Sequence, residues 1–203
     1  LQEFSQRYEC DVHAYVLMSN HVHLLVSPRD IDGLSEMMRG INQILVQCLN
    51  RRHQRCGSLW QSRPKASMVD SSSYLLNCYR YIELNPVRAA MVESPWLYPW
   101  SSYAVNASGR PSQLVKPHRG YLDLGPTIDV RQAAYRAFVE EGISDEALGK
   151  IRAAISQGWP LGDEAFLRGL QAQGIRSTPG RPGRPKSQAA KTGPELGLAP
   201  VLS

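Results

Sequence analysis

The stretch from Val12 to Pro28, VHAYVLMSNHVHLLVSP, constrains the fold of this chain more than any other. Val12 to Met18 and His21 to Ser27 both alternate and are rich in β-branched and aromatic residues, as strands are. Ser19-Asn20 between them is a two-residue connection, so the stretch predicts a β-hairpin. In the second strand Val22, Leu24 and Val26 share one face, and His21, His23, Leu25 and Ser27 share the other. The expectation is a buried aliphatic face and two imidazoles on the opposite side, about 7 Å apart at roughly 3.3 Å per residue. Two roles stay open for that pair: ligands of one divalent metal ion, or polar residues on a solvated face.

At 203 residues the chain is long enough for one well-cored domain with appendages. No apolar run approaches the roughly 18 residues of a membrane span, and no signal-peptide pattern opens the sequence. Cys10, Cys48, Cys56 and Cys78 show no C-x-x-C spacing. They read as reduced thiols of a cytoplasmic protein rather than a zinc finger or a disulfide framework. The net charge of +5 is modest, but its placement is informative. Met37 to Val69 holds no Asp or Glu and contains Arg39, Arg51, Arg52, Arg55, Arg63 and Lys65. In the tail Arg176, Arg181, Arg184, Lys186 and Lys191 face only Glu195. Such patches suit a polyanion, nucleic acid first, although a solvated basic face explains the first one as well.

Leu1 to Glu9 reads as the end of a helix, with Phe4 and Tyr8 four residues apart. A long helix follows the hairpin from about Leu34 to His53, its core stripe formed by Leu34, Met37, Met38, Ile41, Ile44, Leu45, Cys48 and Leu49. Ser58 to Val69 reads as an irregular strand, with Pro64 marking an edge or a bulge. There Trp60 lies close to Arg63 and Lys65, the stacking-plus-charge combination used on single-stranded nucleic acid. Asp70 to Ser73 supply N-cap candidates for a helix from Tyr74 to about Leu84. Leu75, Leu76, Tyr79 and Ile82 form its buried stripe, while Tyr81 and Asn85 lie four apart on another face. Pro86 places Asn85 at a kink, and Val87 to Val92 continue as a helical turn or two. Trp96 to Tyr103 reads as an extended segment over the core, and residues 106 to 126 as turns. Helices are expected over about Val130–Glu141, Asp145–Ser156 and Asp163–Gln173. The Gly-Arg-Pro repeats around Arg181 and Arg184 leave open a disordered tail or a minor-groove contact.

Three segments together resemble a known family: YVLMSNHVHLLVSP, SLWQSRPKASMVDSSSYLLNCYRYIELNPVRAAMV and YPWSSY. They are similar to the REP-associated tyrosine transposases, within the HUH single-tyrosine transposases. The resemblance covers roughly residues 8 to 126. It implies an α+β fold, a ferredoxin-like antiparallel sheet with helices packed on one face, followed by a C-terminal helical appendage and a disordered basic tail. The corresponding divisions are 1–126, 127–175 and 176–203. By the same resemblance His21 and His23 are ligands of Mg²⁺ or Mn²⁺, Asn85 is a third, amide-type ligand, and Tyr81 is the nucleophile. Tyr79 is the local competitor, but it falls on the apolar stripe. Arg51, Arg52, Arg55, Trp60, Arg63, Lys65, Arg181 and Arg184 are the expected DNA contacts. The partner implied is single-stranded, hairpin-forming DNA in the nucleoid of a bacterial cytoplasm, and monomer and homodimer both stay open.

Relatives begin with a strand and most of a helix before the point where this sequence opens. A central strand between the His-bearing strand and the Trp60 strand is therefore expected to be absent, which would leave two unpaired edges. The leading expectation is a metal-dependent strand transferase working through a 5′-phosphotyrosine. A non-catalytic DNA-binding derivative of a transposase and a metal-dependent hydrolase are the alternatives.

Overall fold

A computed structural model describes residues 1–30, 32–60, 62–70 and 74–177. The hairpin forms as expected: β1 (Cys10–Leu17) runs antiparallel to β2 (Val22–Pro28). At its turn the Met18 N–H donates to the His21 carbonyl at 2.8 Å, leaving Ser19 and Asn20 as the two connecting residues. The pairing is Leu17 with Val22, Val16 with His23, Tyr15 with Leu24 and Ala14 with Leu25, then Val12 with Val26. His13 is thus the extra residue of a β-bulge.

One inserted residue moves the following side chains to the other face of the strand. Ala14 and Val16 join Leu25 against the helix α3 (Leu75–Glu83), where Leu75, Cys78, Tyr79 and Ile82 are buried. Cys10 and Val12 join Leu24 and Val26 on the opposite side. There they meet α1 (Gln2–Arg7) and α2 (Gly33–Arg52) through Phe4, Tyr8, Met37, Met38 and Ile41. The α+β class with an antiparallel sheet is as expected, but helices cover both faces of the hairpin rather than one. The imidazole face is correspondingly not a solvated one, and His23 is 1% exposed. Gly40 lets α1 and α2 approach, since a Cβ there would lie 2.2 Å from the Phe4 ring. Only the first half of the α2 stripe is packed; Ile44 and Cys48 are exposed.

The free side of β1 is taken up by later segments. The Leu17 N–H donates to the Trp100 carbonyl, Ser102 N–H to Tyr15, and Lys116 N–H to Val12. On the β2 side, a cavity of about 300 Å³ lies between Val22, Leu24, Ile41, Leu45 and Trp60. Residues 58–69 do not form the expected strand. Among the described residues they make a single bridge, Val69 to Leu161, because no neighbouring strand supplies a ladder.

The helix α3 ends at Leu84, and α4 (Asn85–Arg88) resumes with Pro86 in its first turn. The capping serines expected at 71–73 lie outside the described residues. A 3₁₀ turn at Pro95–Leu97 interrupts the expected extended segment. Two short helices, α5 (Tyr103–Ser108) and α6 (Arg119–Leu122), occupy part of the region expected to be turns. Three longer ones follow: α7 (Ile128–Glu140), α8 (Asp145–Gln157) and α9 (Glu164–Ala172). Their N-caps are Thr127, Ser144 and Asp163, each side-chain oxygen accepting a backbone N–H of the first turn. Tyr135, Val139, Ile151, Ala154 and Ile155 from α7 and α8 enter the same hydrophobic cluster as Ala14, Val16 and α3.

Candidate active site

β2 and α3 bring the expected chemical residues together. The His21 and His23 rings lie 5.0 Å apart between centroids, and the His23 and Tyr81 rings 5.3 Å apart, edge to face. The β2 side chains at alternate positions point at α3 because Val16 and Leu25, on the same face, are packed beneath that helix. His21 Nδ1 donates to Asn20 Oδ1 at 2.7 Å, which fixes the orientation of the ring. Burial lowers the His21 pKa, and a hydrogen bond with Asn85 partly restores it. Asn85, the first residue of α4, lies one helical turn after Tyr81 and reaches that ring. The donor set on offer is therefore two imidazoles and one amide. Among the described residues no group of three or more His, Cys, Asp or Glu side chains converges on one point.

Tyr81 is only 6% exposed. Burial raises its phenol pKa, while the charges of Arg88 and Arg152 and a hydrogen bond from Arg152 pull it down. Arg88 stacks over the ring with its Cζ 4.5 Å from the centroid, and its Nη2 donates to the Tyr81 carbonyl at 2.7 Å. Tyr79 has no such surroundings. It is fully buried beside Tyr121 and Tyr135, and its hydroxyl accepts the His118 backbone N–H at 3.3 Å. Burial pushes its phenol far above the usual range.

Residues expected to contact DNA are dispersed. Arg51 and Arg52 are exposed in the last turn of α2, and Arg55 is exposed just beyond it. Trp60, Arg63 and Lys65 line the apolar cavity rather than the Tyr81 site. Lys65 Nζ donates to the Ser156 carbonyl at 3.2 Å, so part of its charge complements the C-terminal end of α8. Arg181 and Arg184 lie outside the described residues.

Three functional candidates escaped the sequence: Arg88, Arg152 and Glu83. Arg88 carried a usable signal, since it stands seven residues after Tyr81 and a helix places such residues on one face. Arg152 carried none, because α8 joins α3 only through tertiary packing. Glu83 is wholly buried, with Oε1 accepting from Ser102 Oγ and Asn106 Nδ2, and Oε2 accepting from the Tyr135 hydroxyl. Desolvation raises its pKa to about 7.

A histidine pair at the start of a strand, a tyrosine against it and guanidinium groups at the phenol form a site suited to phosphoryl chemistry on a polyanion. Residues 1–85, somewhat less than half of the chain, match the family model of IS200-like transposases. That match supports a transposase family, with a DNA-cleaving activity and DNA as the partner. No curated protein and no solved structure matches the chain. No helix among the described residues is long and apolar enough to cross a membrane.

Proposed function

We propose that this chain is a DNA-strand transferase of the HUH single-tyrosine type, a REP-associated tyrosine transposase acting on single-stranded, hairpin-forming DNA. The observation that carries this reading is the 5.3 Å approach of the Tyr81 ring to His23, with His21 beside it and Asn85 bonded to His21. A phenol of ordinary pKa near 10 is ionised to only roughly one part in a thousand at pH 7, so it needs electrostatic help as a nucleophile. His21, His23 and Asn85 fit a divalent ion, Mg²⁺ or Mn²⁺: the His21 ring is kept neutral by burial and oriented by Asn20. Such an ion, when bound, polarises the scissile phosphate and offsets its developing charge.

Tyr81 loses its proton to solvent and its oxygen attacks phosphorus. The new O–P bond is a 5′-phosphotyrosine, the P–O3′ bond breaks, and the departing 3′ oxygen takes up a proton. The ester energy is retained, so rejoining by a 3′-OH requires no nucleotide cofactor. In this reading the exposed arginines at 51, 52 and 55 contact phosphates of the strand. Bacterial nucleoid-associated cytoplasm is the corresponding location.

Tyr81→Phe tests this directly. Incubated with divalent metal and a single-stranded hairpin oligonucleotide, the wild-type chain forms a covalent adduct that survives denaturing electrophoresis. The variant forms none and binds the oligonucleotide as before. Persistence of the adduct in the variant excludes Tyr81. The near-complete burial of Tyr81 favours a second reading, a non-catalytic DNA-binding derivative of a transposase. Metal-dependent nicking of the same oligonucleotide separates the two.

A further inference from the structure

We propose that Arg88 and Arg152 form a two-pronged clamp for a tetrahedral oxyanion at Tyr81, and that its ligand is the phosphate attacked by that tyrosine. The second half of this inference rests on the transferase reading above; the clamp itself does not.

The two arginines come from elements far apart in sequence, α4 and α8, and converge on one phenol. Arg88 is fixed in place from two directions. Its guanidinium carbon lies over the Tyr81 ring, and Nη2 is committed to the Tyr81 carbonyl. Its Nη1 is buried and finds no hydrogen-bond partner among the described residues. A charged donor left in that state is costly, and an anion on the same spot removes the cost. Arg152 is anchored by its neighbour Ile151, which is fully buried, while its own side chain is exposed and extends to the phenol.

The charges are unbalanced. Arg88 and Arg152 repel one another, and among the described residues neither pairs with a carboxylate. Glu83, the acid nearest Tyr81 in sequence, is spent on Ser102, Asn106 and Tyr135. Cation–π stacking explains why Arg88 lies over the ring. It does not explain a second guanidinium at the hydroxyl end, nor a buried Nη1 with nothing to donate to. An oxyanion bonded to the phenol oxygen supplies acceptors for both forks, since three oxygens remain on phosphorus after attack.

Inorganic phosphate is the first probe and a single-stranded oligonucleotide the second. With ring-¹³C tyrosine in the full chain, the Tyr81 signal is assigned by its loss in Tyr81→Phe. Phosphate should shift that signal in the wild type. Arg152→Gln, an exposed substitution, should weaken phosphate binding by about tenfold or more, the scale of a charge-assisted hydrogen bond. Arg152→Lys should restore only part, because it returns charge without the planar fork. Arg88→Lys should weaken binding similarly; if breaking its bond to the Tyr81 carbonyl unfolds the chain, Arg152→Gln decides alone. Equal phosphate affinity in wild type and Arg152→Gln, or no shift in the wild type, overturns the clamp. With the oligonucleotide, Arg152→Gln should slow adduct formation by the same factor or more. A wild type that binds phosphate through Arg152 but never forms an adduct keeps the clamp and removes the transferase reading. An adduct that forms at an unchanged rate in Arg152→Gln keeps the transferase and removes the attacked phosphate as the clamp's ligand.

Discussion

Replacing Glu83 with glutamine isolates the electrostatic cost of the buried network behind Tyr81. Glu83 sits on α3 two residues beyond that tyrosine, wholly buried, with three hydroxyl and amide donors at 2.5 to 2.7 Å. Desolvation outweighs those donors and lifts the carboxyl pKa from 4.5 to about 7. The folded state therefore holds this proton at pH values where the unfolded chain has released it. The stability linked to Glu83 is complete below pH 4.5, declines as the pH rises, and is gone above about 7. Across that interval the loss is on the order of 3 kcal/mol. Glutamine keeps the shape and an acceptor for Ser102 and Asn106, and its NH₂ can donate to the Tyr135 oxygen. Urea unfolding from pH 4.5 to 8 is the assay, read as wild type minus variant so that shared titrations cancel. The variant should gain on the wild type by about that amount over the interval. A difference that stays flat with pH refutes the argument that burial, rather than the donors, sets the behaviour of Glu83.

Four further outcomes follow from the same structure. Gly40→Ala should destabilise the fold by roughly 1–3 kcal/mol, because its Cβ meets the Phe4 ring at 2.2 Å, and thermal unfolding reads the change. Gly149→Ala in α8 should do the opposite and add about 1 kcal/mol, since a Cβ there meets nothing within 4 Å and alanine favours helix. Replacing Arg51, Arg52 and Arg55 together by glutamine should flatten the salt dependence of single-strand binding, by about 0.7 in logarithmic slope for each phosphate no longer neutralised. Chelation should stop adduct formation and added Mn²⁺ should restart it, whereas His21→Ala should not respond to metal at concentrations that saturate the wild type.

The existence of the hairpin and its turn were legible because their evidence is local: period-two alternation on either side of a two-residue turn. The three C-terminal helices were legible in extent from their apolar spacing, although their N-caps, Thr127, Ser144 and Asp163, were not read as caps. What the sequence concealed was non-local. Nothing in the spacing marks His13 as a bulge, yet that single residue decides which side of β1 faces α3. Uncorrected alternation would set Cys10, Val12, Ala14 and Val16 on one face and predict a sheet covered on one side only. Leu25, lying between His23 and Ser27 on the imidazole face, was the one hint that this face is buried too. The segment from Ser58 to Val69 misled in the opposite direction, because strand-like residues form a strand only where a neighbour offers a ladder.

The site follows from that packing. Because the bulge turns Ala14 and Val16 toward α3, they pack beside His23 and bring the tyrosine helix down onto the histidine strand. Glu83 then ties the far side of the same helix to α5 and α7 through Ser102, Asn106 and Tyr135. Those bonds set the rotation of α3 about its axis, so that Tyr79 points into the aromatic core and Tyr81 toward His23. Beyond Leu84, α4 brings Asn85 to His21 and Arg88 over the Tyr81 ring. The four residues singled out by resemblance are thus held together by a bulge, a buried carboxylate and the short helix α4, and of these only the last was announced in the sequence, by Pro86.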